Sequence, residues 1–164
     1  MSRIGDATRD FADDDVTAFA VRSPDLGAAM AAFSQAVYTK GRLPLRVREL
    51  ARVVIANANE CVVCQNTRDS EGEAAGVDED LYRYSDQWRT WPGYSPAERI
   101  AAEFAHRFAT DHTGLREDDD FWARAGEHFD AELITDLALS CAMWVGMGRV
   151  LRTLDIGQSC KITL

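Results

Sequence analysis

Apolar side chains in this chain recur every three or four residues, and no segment alternates at every second one. That period constrains the fold more than any other feature. Positions i, i+3, i+4 and i+7 share one face of an α-helix, whereas a half-buried strand needs a period of two. Leu26, Met30, Phe33 and Val37 make one stripe, and Val47, Leu50, Val54 and Ala58 a second. Ile100, Phe104 and Phe108 make a third. The longest runs through Leu133, Ile134, Leu137, Cys141, Trp144, Gly148 and Leu151.

Helix punctuation falls between these stripes. Ser23-Pro24-Asp25 is a start, with Ser as N-cap and Pro at the first helical position. Gly41 stops that helix, and Pro44 opens the next, which ends near Asn59. Asp78 begins a short helix, and Ser95-Pro96-Ala97-Glu98 is a capping box. Gly114 is expected to break the helix before it, a shorter one spans Glu117 to Gly126, and Asp130 caps the last. The expected fold class is all-α, a single-domain helical bundle over 23–164. Residues 1–22 carry no clear period and read as a partly ordered arm.

Twenty-seven acidic side chains against 18 basic ones leave a net charge of -9. That balance argues against nucleic acid and anionic membrane as partners. No stretch of sequence approaches the length of a membrane span. Arg3, Asp6, Arg9 and Asp10 interrupt any apolar run at the N-terminus, so no signal peptide is expected. The expected compartment is the cytoplasm, where thiols stay reduced. Four cysteines there do not read as a disulfide framework, and a close pair reads as catalytic or metal-binding.

The close pair is Cys61-Val62-Val63-Cys64, followed by Arg68. If this run is helical, Cys61, Cys64 and Arg68 share a face. A helix start and a neighbouring cation both favour thiolate, the reactive form. The same spacing also fits two ordinary core cysteines, since free Cys is often buried. Two thiols without a nearby His fall short of a four-coordinate zinc site, so no metal is expected. No phosphate-binding glycine loop appears, so no organic cofactor is expected. Cys141 lies in an apolar stripe and reads as core, and Cys160 in the tail as incidental.

Glu49 stands eleven residues before Cys61, giving E-x11-C-x-x-C, with Leu43-Pro44 before it and Gly76-Val77 after. This pattern resembles the alkylhydroperoxidase D-like branch of the carboxymuconolactone decarboxylase family. Ser95-Pro96-Ala97-Glu98-Arg99 is similar to that family's penultimate core helix. Trp144 to Leu154, with Arg149, is similar to its final helix, where an Asn-Arg pair is usual and Gly148 here replaces the Asn. The similarity spans about residues 24–156. It implies an all-α fold that assembles as a homo-oligomer, commonly a trimer or hexamer. It also implies reduction of a hydroperoxide, with Cys64 as the peroxidatic thiol, Cys61 as the resolving one, Glu49 in a proton relay, and a separate thiol reductant.

The family motif also carries two His residues, at the positions of Val63 and Arg68. An imidazole can take the thiol proton and return it to the leaving group; Arg stays protonated and cannot. Arg68 is expected to hold Cys64 as a thiolate, or else to pair with Glu49 or Asp69. Of the three His residues, His106 is the best substitute base, while His112 and His128 read as capping or surface groups. Three other functions stay open: the lactone decarboxylase that shares the fold, a redox sensor without a relay, and a structural oligomer.

Overall fold

The structure is a computed structural model that describes residues 2–4 and 15–157. Its helices in chain order are α1 (Asp15–Ala20), α2 (Pro24–Lys40), α3 (Leu45–Ala58), α4 (Val62–Asn66) and α5 (Glu79–Arg83). These are followed by α6 (Pro96–Thr110), α7 (His112–Arg116), α8 (Asp119–Gly126) and α9 (Ala131–Leu154). Two 3₁₀ turns, Glu73–Ala75 and Ser85–Gln87, join α4 to α5 and α5 to α6. No strand occurs among the described residues, as the all-α expectation requires. Starts follow the side chains that read as caps. Ser95 and Glu98 close a reciprocal capping box, and Asp78, Asp118 and Asp130 each accept the amide three residues on.

The bundle is built around α3. Ten consecutive residues, Val47 to Ala56, are buried, so every face of this helix meets protein. α6 and α9 pack directly on it, and Leu50, Ala101, Phe121 and Leu137 form the centre of the main core. α9 has 24 residues and is long and apolar enough to cross a membrane by length and composition, contrary to the expectation that no stretch is. Here Leu137, Cys141, Trp144 and Leu151 are buried among protein side chains, and 33% of the apolar window is buried.

A smaller apolar cluster lies at one end of the bundle. Cys61, Val63, Leu151 and Ile156 are buried in it, with Val16 and Phe19 of α1 packed against them. Two matching helix ends aim residues into it. Glu60 (φ 51) follows α3, with Cys61 N–H bonded to the Ala56 carbonyl. Asp155 (φ 56) follows α9, with Ile156 N–H bonded to the Leu151 carbonyl. Each is a Schellman turn with a non-glycine residue in the left-handed region. Gly27 lets α1 dock on α2, because a Cβ there would collide with the Ala20 backbone.

Four expectations change. The 1–22 segment, read as lacking a period, contains α1, with Ala18 buried; the rest of it lies largely outside the described residues. The α2 stripe meets the core only at its end: Val37 is buried, whereas Leu26 is 74% and Phe33 41% exposed. Gly114 continues into α7, where its amide is bonded by the Asp111 carboxylate. The C-x-x-C run, on whose helicity the shared face of Cys61, Cys64 and Arg68 depends, is helical only from Val62 to Asn66.

Gly148 leaves a space that Asn59 fills. The Asn59 amide donates to the Trp144 carbonyl at 3.1 Å, and its oxygen accepts from Arg149 Nε at 3.2 Å. A Cβ at 148 would collide with that amide. Gly148→Ala is therefore expected to lower stability by about 1–3 kcal/mol through loss of buried hydrogen bonds, read as a fall in Tm by circular dichroism.

Candidate active site

Cys61 and Cys64 form a disulfide, with Cα atoms 5.2 Å apart. The two sulfurs are not equivalent. Cys61 caps α4 and is wholly buried in the apolar cluster. Cys64 is half-buried and opens on a cavity of about 490 Å³ between α2, α3 and α9. The cavity is mainly apolar, walled by Met30, Ile55, Met143 and Met147, with Arg52 and Tyr38 among its few polar groups. Its volume is that of a site for a small organic molecule.

Behind Cys64 lies a buried ion pair on α3. Glu49 is fully enclosed. It accepts from Arg52 Nε at 3.1 and 3.2 Å and from Nη2 at 2.9 Å. Tyr82 adds a hydroxyl bond to the same carboxylate at 3.0 Å. Burial, and then the Glu49 charge, push the Tyr82 phenol up. For Arg52, burial works against the charge, but Glu49 outweighs it and raises the pKa, so the guanidinium stays charged.

Arg52 also reaches forward. Its Nη1 donates to the Cys64 carbonyl at 2.6 Å and its Nη2 to the Thr67 carbonyl at 2.9 Å. α4 is short. To continue the helix, the Cys64 carbonyl would accept from the amide of residue 68; here it accepts from Arg52. The Thr67 hydroxyl bonds the Val63 carbonyl at 2.8 Å and Thr67 turns extended. The chain therefore leaves the helix before Arg68.

That exit corrects the expectation for Arg68. The residue does not share a helical face with Cys61 and Cys64. Its guanidinium pairs with Glu79 at 2.9 Å, bonds the Gln65 and Thr67 carbonyls, and stacks 3.8 Å above the Tyr82 ring. It pairs neither with Glu49, which Arg52 holds, nor with Asp69, which Arg48 holds. Val63, at the other family His position, is buried among Leu151 and Ile156, where an imidazole would lack polar partners. His106 packs against Trp88 on α6 and does not line the cavity; burial and nearby Arg89 lower its pKa. His112 begins α7 rather than ending a helix, and His128 is exposed.

Sequence reasoning missed Arg52 and Tyr38. Arg52 carried one usable signal, its position three residues after Glu49, which pairs them on one helical face. Tyr38 follows directly on the stripe residue Val37 and had no signal of its own. Its oxygen accepts the Trp144 indole N–H at 3.1 Å, across 106 residues of sequence. No cluster of three or more His, Cys, Asp or Glu able to hold a metal occurs among the described residues.

Comparison with known proteins places this geometry among relatives. The model of the carboxymuconolactone decarboxylase family matches residues 24–107, from the start of α2 through most of α6. The uncharacterised protein YdfG of Bacillus subtilis (strain 168) is 29% identical over 103 residues, 62% of this chain and 69% of its own. A crystal structure of a protein of unknown function from Agrobacterium tumefaciens, for which an antioxidant defence role as AhpD has been suggested, superposes with a TM-score of 0.71. It has 20% identity over 84% of this chain and 92% of that one. The debrominase Bmp8, in its apo form, also superposes with a TM-score of 0.71, at 18% identity over 87% of this chain and 75% of that one. At these identities the two structures share the fold.

The geometry separates the two arginines experimentally. Arg52→Met strands Glu49 in the interior and is expected to destabilise by about 3–5 kcal/mol. Arg68→Met removes an exposed pair with Glu79, two bonds to backbone carbonyls and the stack on Tyr82, and is expected to lose about 1–2 kcal/mol. In the reduced protein, Arg68→Met should leave the pH midpoint for alkylation of Cys64 unchanged; an upward shift would mean that Arg68 reaches the sulfur after all. Chemical denaturation and alkylation monitored by mass spectrometry give both readings.

Proposed function

The chain belongs to the carboxymuconolactone decarboxylase family, and from that premise we propose that it is a thiol-dependent hydroperoxide reductase in which Cys64 attacks and Cys61 resolves. The carrying observation is the unequal exposure of the two sulfurs. Cys64 opens on an apolar cavity, while Cys61 is sealed behind it within disulfide reach. An attacking thiol needs access to substrate, and a resolving thiol needs only its partner.

The chemistry runs in two steps. The Cys64 thiolate attacks the terminal oxygen of the hydroperoxide and the O–O bond breaks. Cys64 becomes a sulfenic acid and the remaining oxygen leaves as an alcohol once it gains a proton. Cys61, as thiolate, then attacks the Cys64 sulfur, the S–O bond breaks, and hydroxide leaves as water after protonation. An external dithiol reduces the disulfide and restores both thiols. A compartment that keeps thiols reduced, such as the cytoplasm, suits this cycle. Arg52 supplies fixed positive charge on the cavity beside Cys64, and Glu49 serves to hold Arg52. The apolar walls favour an organic hydroperoxide over hydrogen peroxide.

A homo-oligomer, a trimer or hexamer as in the family, extends this reading. The exposed Leu26 and Phe33 of α2 support it, because a second copy would cover them. Light scattering at micromolar concentration should give a multiple of the 18.2 kDa chain mass, and Leu26→Asp should reduce it; a monomer mass for the unaltered protein would defeat this part.

The central test uses single-cysteine variants and a hydroperoxide. Cys61→Ser should accumulate sulfenic acid on Cys64, trapped by dimedone. Cys64→Ser should give no sulfenic acid and lose peroxide consumption. Sulfenic acid appearing on Cys61 in Cys64→Ser, with Cys64 unreactive in Cys61→Ser, would reverse the assignment.

A further inference from the structure

The cavity beside Cys64 holds a hydroxyl that the two-step exchange leaves unused. We infer that Tyr38 donates the proton to the leaving oxygen when Cys64 attacks a hydroperoxide, with Trp144 setting the direction of its hydroxyl. This rests on the thiol-peroxidase reading above.

The need is chemical. Breaking the O–O bond leaves an alkoxide, and a donor in the cavity must neutralise it. The two positions where relatives in the family carry His hold Val63, buried among aliphatic side chains, and Arg68, directed to Glu79. Arg52 lines the cavity, but a guanidinium does not give up its proton. Among the described lining residues, Tyr38 carries the acidic hydroxyl.

Its geometry fits the task. The Tyr38 oxygen accepts from Trp144 Nε1 at 3.1 Å, which takes a lone pair and leaves the O–H proton to point elsewhere. Among the described residues no group accepts that proton. Arg48 holds the residue from α3, with Nη1 on its carbonyl at 3.1 Å and the guanidinium over its ring at 5.1 Å. The charged groups facing the phenol are Arg52, Arg48 and Glu49, all from α3. Burial is the strongest influence and raises its pKa, keeping the phenol protonated across the working range. An ordinary phenol at about 10 is a stronger acid than water at about 15.7, so transfer to an alkoxide or hydroxide runs downhill.

The step balances. The Cys64 thiolate gives two electrons to the peroxide, the S–O bond forms and the O–O bond breaks. The alkoxide takes the Tyr38 proton and leaves as alcohol. The tyrosinate is reprotonated from solvent, and the Cys61 thiol gives up its own proton to solvent before it attacks the Cys64 sulfur. The external dithiol then returns both thiols and the proton inventory to the start.

Leaving-group chemistry supplies the test. Reduced protein is reacted in stopped flow with cumene hydroperoxide, peracetic acid and iodoacetamide. Only the first expels an alkoxide; acetate and iodide leave without a proton. Tyr38→Phe should slow cumene hydroperoxide by about a hundredfold or more, the size of a general-acid contribution. The same variant should leave the other two rates little changed. Trp144→Phe, which keeps the phenol but frees its direction, should show the same selectivity with a smaller loss. Equal losses on all three reagents, or no loss on any, in Tyr38→Phe would overturn the assignment. A wild-type protein alkylated normally at Cys64 but oxidised by cumene hydroperoxide no faster than free dithiothreitol would instead overturn the peroxidase reading beneath it.

Discussion

The guanidinium of Arg52 is the constraint from which the rest of the site follows. A cation in a dry interior is tolerated only when its hydrogen bonds are made and its charge is answered. Glu49, one turn back on α3, answers the charge, and the i, i+3 spacing lets the helix itself set the pair. The remaining N–H groups are then free for the neighbouring segment, and they take the carbonyls of Cys64 and Thr67. One side chain thus holds the C-x-x-C segment on the central helix. Its bonds fall where that segment leaves the helix and Thr67 turns extended.

The consequence for chemistry is a division of labour. An imidazole combines two properties, charge and a mobile proton, in one ring. In the proposed cycle they are carried by different residues. Arg52 contributes charge that pH does not remove, and Tyr38 contributes a proton that pH does not remove either, because burial raises its pKa. Neither group shuttles on its own, so in that cycle solvent returns the proton.

How legible this was in the sequence depends on the range of each interaction. Helix starts were readable because capping is local: Ser95 with Glu98, and Asp78, Asp118 and Asp130, act within three residues. The α3 and α9 stripes were readable for the same reason. The end of α4 was not: there the Cys64 carbonyl accepts from Arg52, twelve residues upstream in sequence. Arg68 was misplaced with it, because a helical face was assumed past a residue that turns extended. Tyr38 was invisible, as only its contact with Trp144, 106 positions away, marks it. The α2 stripe shows the converse error: apolar periodicity reports a face that wants cover, without saying whether the same chain provides it.

Gly148 shows how a departure from a family pattern can preserve its physics. Where the family usually carries an Asn before Arg149, this chain does not. Instead the glycine opens space, and Asn59 enters it from the C-terminal end of α3. The new amide does more than replace the old contact, because Asn59 directly precedes the Glu60 turn that delivers Cys61. Its bond to the Trp144 carbonyl ties that turn to α9, and the Trp144 indole is bonded to Tyr38 on α2. Trp144 therefore joins the turn carrying Cys61 to the Tyr38 hydroxyl on the cavity that Cys64 also lines. Asn59, Trp144 and Tyr38 thus link α3, α9 and α2 beside one cavity.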